Sequence, residues 1–174
     1  MLNTLLKNVC GGIVIFTLSV ACTVQESSDF EKFTGRWTLH VVEVKSDSLH
    51  PWIEREGNYK DRNGFIMYDG LGGMGVHHVP GGYDDYRFEG ESLQTLTEKD
   101  LRHVANNFVY FGKYRVIDSL GIIEHHIESS VYPHRWGSIA RRNYVFDGDT
   151  LTLYPIRDGY PKGRLKWVRL NDLD

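Results

Sequence analysis

Residues 108–131 read FVYFGKYRVIDSLGIIEHHIESSV, and the architecture of the chain follows from this stretch. Phe108 to Ile117 is a β-branched and aromatic run, Gly121 to Val131 is a second, and Asp118-Ser119-Leu120-Gly121 between them is a connection of hairpin size. Side chains alternate along a strand, so Tyr110, Gly112 and Tyr114 share one face of the first run. Adjacent His125 and His126 must face opposite ways. His125 travels with Ile123, Ile127 and Val131, whereas His126 travels with Glu124, Glu128 and Ser130. The more apolar company favours His125 inside; an interior lined by acids would take His126 instead.

The same period-two pattern extends in both directions. Thr34 to Lys45 (TGRWTLHVVEVK), Gly64 to Tyr68, Met74 to Val79, Gly137 to Phe146, Thr150 to Tyr154 and Arg164 to Leu170 all read as strands, several joined by tight turns such as Asp69-Gly70 and Asp147-Gly148-Asp149. The one helical signal is Thr97 to Asn107, with Thr97 at the N-cap and Asp100 at the capping-box position. Nine of the 18 glycines fall between Gly57 and Gly90, a stretch suited to a mouth loop or lid. A meander of about eight strands with one short helix hides its edges best by closing into an antiparallel up-and-down β-barrel, whose interior is filled or holds one small ligand. One domain, 33–174, is expected.

Ahead of it, Val9 to Ala21 (VCGGIVIFTLSVA) is too short to span a bilayer comfortably but matches the apolar core of a secretory signal, with Lys7 before it. Leu18-Ser19-Val20-Ala21-Cys22 resembles the lipobox of bacterial lipoproteins, with the leucine one place further from the cysteine than usual. The resemblance implies cleavage before Cys22, a lipid on its thiol and a tether over 22–32. Thr23, where inner-membrane lipoproteins carry an aspartate, points to the outer membrane. Export with a free Cys22 and an uncleaved anchor are the alternatives. Removal of residues 1–21, which carry Lys7 and no acid, changes the formal charge from −3 to −4. With no basic block, a nucleic-acid partner is not expected. Cys10 and Cys22 are the two cysteines, so neither a disulfide framework nor a cysteine zinc site can belong to the domain.

An ordered series of motifs resembles the lipocalin-like domain family of bacteria and fungi: Gly35-Arg36-Trp37, Gly64 to Gly70, Tyr110-Phe111-Gly112-Lys113-Tyr114, Gly121 to Glu128, Trp136-Gly137, Arg141 to Tyr144, Gly148 to Leu153, and Leu165-Lys166-Trp167. Two departures stand out: the glycine-rich Leu71-Gly72-Gly73 with His77-His78 and Pro80-Gly81-Gly82, and Ile122 where the family prefers threonine. The resemblance implies a lipocalin-type barrel with a central cavity for a small hydrophobic molecule.

Within such a barrel the first and last strands are neighbours, so Trp37 and Arg169 are expected to close one end by cation–π stacking. Tyr68, Tyr110, Tyr114, His125, Arg141 and Trp136 are the candidate ligand-binding residues, as aromatic surfaces with polar handles plus one cation. An interior histidine beside a tyrosine could also move a proton. A cyclase or isomerase using His125 or His126 with Tyr110, Tyr114 and Arg141 is therefore the second reading, and a structural envelope lipoprotein with a filled barrel the third. No cofactor is expected. The two histidine pairs lack metal-ligand spacing, and neither an H-E-x-x-H helix nor a G-x-S-x-G elbow occurs. Oligomeric state is not legible.

Overall fold

The computed structural model describes residues 29–92, 94–158 and 162–171. The signal segment, Cys22 and the tether through residue 28 lie outside the described residues. A four-residue helical turn, α1 (Phe30–Phe33), leads into β1 (Gly35–Lys45). There follow the short β2 (Ile53–Glu54), β3 (Asn63–Tyr68), β4 (Gly73–Val79), α2 (Glu98–Ala105), β5 (Phe108–Ile117), β6 (Ile122–Ser130), β7 (Ile139–Asp147), β8 (Thr150–Pro155) and β9 (Lys162–Leu170). Every pairing is antiparallel, in the order β1-β3-β4-β5-β6-β7-β8-β9, and β9 returns to β1 over Arg36↔Leu170 to Lys45↔Lys162. The sheet is thus a closed eight-stranded barrel, with β2 added on the far part of β1. Closure leaves no long edge unpaired.

Alternation is read directly in the burial: Asn63 to Tyr68 runs exposed, buried, exposed, buried, with Ile66 and Tyr68 inside. Two irregularities adjust it. β1 shifts register between Leu39 and Val41, which lets Leu39 and Val42 both face the core. β6 carries a bulge opposite Phe111 and Gly112, and a Cβ at Gly112 would collide with the His126 carbonyl and the Glu128 amide. The glycine between Tyr110 and Tyr114 is therefore what permits the close strand approach.

One end of the barrel is sealed by aromatics. Phe33 is fully buried and meets Tyr68, Tyr144 and Phe146 edge-on at 5.2, 4.9 and 4.9 Å, while Phe30 stacks on Tyr114 at 4.9 Å. Phe30 thus packs on the barrel although it falls within the stretch expected to be tether. The Trp37 indole nitrogen donates to the Phe33 carbonyl at 2.8 Å. Arg169 lies 4.0 Å over the Trp37 ring and donates to the carbonyls of Thr34 and Lys32 at 2.7 and 2.6 Å, pinning the turn against the first and last strands.

Outside the barrel, α2 starts at a reciprocal capping box: the Asp100 amide donates to Thr97 Oγ1 at 3.2 Å, and the Thr97 amide to Asp100 Oδ2 at 2.8 Å. Asp100 is fully buried, and also accepts from the Glu89 and Gly90 amides and the Tyr86 hydroxyl. Burial opposes its ionisation, but these donors outweigh the penalty and hold its carboxyl below the ordinary range. One aspartate thus fastens the preceding loop to the helix start.

Candidate functional site

The end opposite the aromatic seal encloses a cavity of about 350 Å3. This is near the lower end of the roughly 300–1,000 Å3 found for ligand pockets. Its wall is apolar: Val42 from β1, Ile66 from β3, Val76 from β4, Leu153 from β8, and Leu165 and Trp167 from β9. Its mouth is cationic. Arg55 and Tyr59 come from the β1–β3 connection, Arg135 from the turn after β6, Arg142 from β7, Arg157 from the β8–β9 connection and Lys162 from the start of β9.

Polar groups on the wall are held in place from behind. His78 accepts a hydrogen bond at Nδ1 from Arg62 Nε at 2.7 Å, so its Nε2 carries the proton. Arg62 is itself buried and satisfied by the carbonyls of Asn58, His78 and Asn106. Burial, with Arg62 beside it, brings the His78 imidazole down to about 3, so it is neutral at physiological pH.

Deeper in, Tyr110 Oη receives Arg142 Nη2 at 3.0 Å and contacts His125 Nδ1 at 2.7 Å; His125 Nε2 contacts Tyr68 Oη at 2.9 Å. His125 is fully buried, and burial together with the charge of Arg142 holds it well below the ordinary imidazole range. The two contacts join three neutral groups that own three protons, so one proton is left over. If Tyr110 donates to His125, the spare proton sits on Tyr68, which is 1% exposed and has no further hydrogen bond among the described residues. If Tyr68 donates instead, the spare proton sits on Tyr110, which lines the cavity. Tyr110 is equally buried, at 1% exposed, so either order leaves one hydroxyl proton without an acceptor among the described residues, and only in the second does that proton belong to a residue lining the cavity.

The expected site residues separate into three places. Tyr110 lines the cavity. His125 turns inward but lies behind Tyr110, and Tyr68 and Tyr114 pack in the aromatic seal. Tyr114 follows Tyr110 by four residues, about 13 Å along a strand, so a shared face does not bring them to one ligand. Arg141, His126 and Trp136 are outside the barrel, correcting their candidacy. Arg141 Nε and His126 Nε2 reach the carboxylate of Glu124 at 2.8 and 3.1 Å, joined by Arg115. Trp136 is 58% exposed and donates to the Ser130 carbonyl.

Of the pair Arg141-Arg142 the sequence reading put Arg141 forward, whereas Arg142 lines the cavity, and the parity of β7 holds the signal that distinguishes them. Arg142 shares its face with Tyr144 and Phe146, both turned to the core. His78 was equally accessible, since it shares a face with Met74 and Val76. Arg55, Arg135 and Arg157 sit in connections, where no periodicity applies. Among the described residues no three of His, Cys, Asp and Glu come together as a metal site.

The closed antiparallel barrel and its ordered motifs agree with the comparison to known families, in which the family model for a lipocalin-like domain matches residues 34–168. No curated protein and no solved structure gives a match. Since the match spans most of the chain and reaches into all eight barrel strands, the chain belongs to the lipocalin-like domain family.

Proposed function

We propose that the protein binds a small, largely apolar molecule in its barrel and carries it at the cell envelope as an exported, lipid-anchored protein. The observation that carries the binding reading is the cavity of about 350 Å3 with its apolar wall, in a barrel type that side chains can fill. A solid structural barrel would leave no such space. The acid/base reading is disfavoured by the position of His125, whose two nitrogens are both engaged and which no reacting atom can touch. His125 is read instead as a positioning residue that orients Tyr110. Support for the anchor is confined to the sequence: the apolar run before Ala21, the small residue ahead of Cys22 and the polar stretch after it. A lipid on Cys22 would hold the domain in the periplasm, on the outer membrane.

The test is titration with the neutral apolar fluorophore N-phenyl-1-naphthylamine. Saturable one-to-one emission enhancement is expected. Val76→Trp, which fills the cavity, should weaken it by about tenfold or more while unfolding remains cooperative, a loss of about 1.4 kcal/mol. Absence of saturable binding, or binding unchanged in a folded Val76→Trp variant, defeats the reading.

A further inference from the structure

We infer that the ligand is an anionic amphiphile, an apolar body in the barrel ending in a carboxylate or other anionic oxygen group that Arg142, Arg135 and the mouth cations receive. This rests on the cavity being a binding site and specifies what it takes. The protein as a whole is slightly acidic, with a formal charge of −3, yet among the described residues no aspartate or glutamate lines the cavity. Arg164 at the rim is neutralised by Glu43 at 2.6 Å. Arg55, Arg135, Arg142 and Arg157 form no ion pair among the described residues, although all four line the cavity. Exposed arginines need no counterion, but Arg142 is 8% exposed and Arg135 is partly buried against the rings of Phe108 and Tyr110, at 4.9 and 5.9 Å. A desolvated guanidinium without a carboxylate is costly, and a bound anion relieves that cost.

The hydrogen-bond inventory points the same way. Arg135 Nε and Trp167 Nε1 are buried donors with no acceptor among the described residues. His78 presents an N–H at Nε2, because Arg62 occupies Nδ1. Tyr110 carries the spare hydroxyl proton when Tyr68 donates to His125, and already accepts from Arg142. The polar groups of the lining are thus donors in excess, which matches a ligand whose polar end only accepts. A guanidinium fork offers two parallel N–H groups to a carboxylate or a phosphate alike. Burial lowers the affinity of Arg135 for its proton, but a guanidinium is not deprotonated in proteins, so the charge is present when a ligand arrives. The shallow volume suits a medium-length chain or a compact ring system more than a long lipid tail.

The experiment is displacement of N-phenyl-1-naphthylamine by ligands that share one tail and differ in the head: decanoate, decyl phosphate, 1-decanol and decylammonium, each below its micelle concentration. Decanoate or decyl phosphate is expected to displace the probe at least about tenfold better than 1-decanol, in keeping with one well-placed charge-assisted contact. Which of the two is tighter identifies the head group. Arg142→Met and, independently, Arg135→Gln should shrink the preference over 1-decanol severalfold, each variant's displacement constants being referred to its own probe affinity. Arg135→Gln, with its partly exposed side chain, guards against a folding defect in the more buried variant. If 1-decanol competes as well as both anions, or decylammonium competes best, the inference fails while cavity binding stands. If the probe itself does not bind, both fall.

Discussion

Replacing Arg169 by alanine removes the clamp that holds the sealed end of the barrel. The guanidinium stacks 4.0 Å over Trp37 and donates to the carbonyls of Thr34 and Lys32, so it joins β9, β1 and α1 at one point. The stacking is worth about 1 kcal/mol at a partly exposed site. Each charge-assisted bond to a carbonyl adds about 0.5–1 kcal/mol after allowance for solvent screening. The sum is about 2–3 kcal/mol. For a domain of this size the melting temperature falls by about 3 °C per kcal/mol, so a drop of roughly 6–9 °C is expected. Urea denaturation should show a lower midpoint with an unchanged slope, since the surface exposed on unfolding stays the same. Arg169→Lys keeps the charge but loses the planar fork, and should recover less than half of the loss. An alanine variant within about 0.5 kcal/mol of the parent, or a lysine variant equal to it, would refute the clamp; 0.5 kcal/mol is the ordinary scatter of surface substitutions.

Other expectations follow from the same geometry. His78 and His125 are neutral when folded and titrate normally when unfolded, so folding stability should be constant above about pH 6.5 and fall as pH drops below it. Each contributes about 1.4 kcal/mol per pH unit down to its folded value, and His78→Gln should roughly halve the slope of urea-derived stability between about pH 6.5 and 4.5; an unaltered slope contradicts the assignment. His126→Ala and Arg141→Ala, on the outer face with Glu124, should leave probe affinity within about twofold, where a tenfold loss would place the site elsewhere. Thr97→Ala, which breaks the capping box, should cost about 1 kcal/mol by denaturant titration without changing binding. Radiolabelled palmitate should enter the protein in a bacterial host and be lost in Cys22→Ala; label retained by the variant removes the lipid-anchor proposal.

Much of this molecule was written in local pattern. The period-two runs located each barrel strand to within about two residues, and the Thr97 and Asp100 pair marked the start of α2. Alternation also required His125 and His126 to face opposite ways, because a strand residue's face is a local property, but which of the two turns inward was settled by the packed barrel, where His125 is fully buried. Trp37 and Arg169 could be paired from sequence because closure makes the first and last strands neighbours. Height along the barrel axis is different. Tyr110 and Tyr114 have the same parity, yet one lines the cavity and the other packs under Phe30, and that depends on where each strand enters the barrel. The turn of Phe30 to Phe33 was similarly hidden, since four residues after a polar stretch carry no periodic signal, and only the hollow they fill explains them.

The sequence by itself determined a closed antiparallel barrel and the two-faced alternation of its strands, because composition, alternation and turn chemistry are short-range properties. Only the tertiary structure decided that one end is plugged by aromatics and the other is open. It also gathered Arg55, Arg135, Arg142 and Arg157, spread across 103 positions of an acidic chain, around one cavity that no carboxylate lines among the described residues. Charge at a site depends on which distant residues share a volume, and no local pattern encodes that.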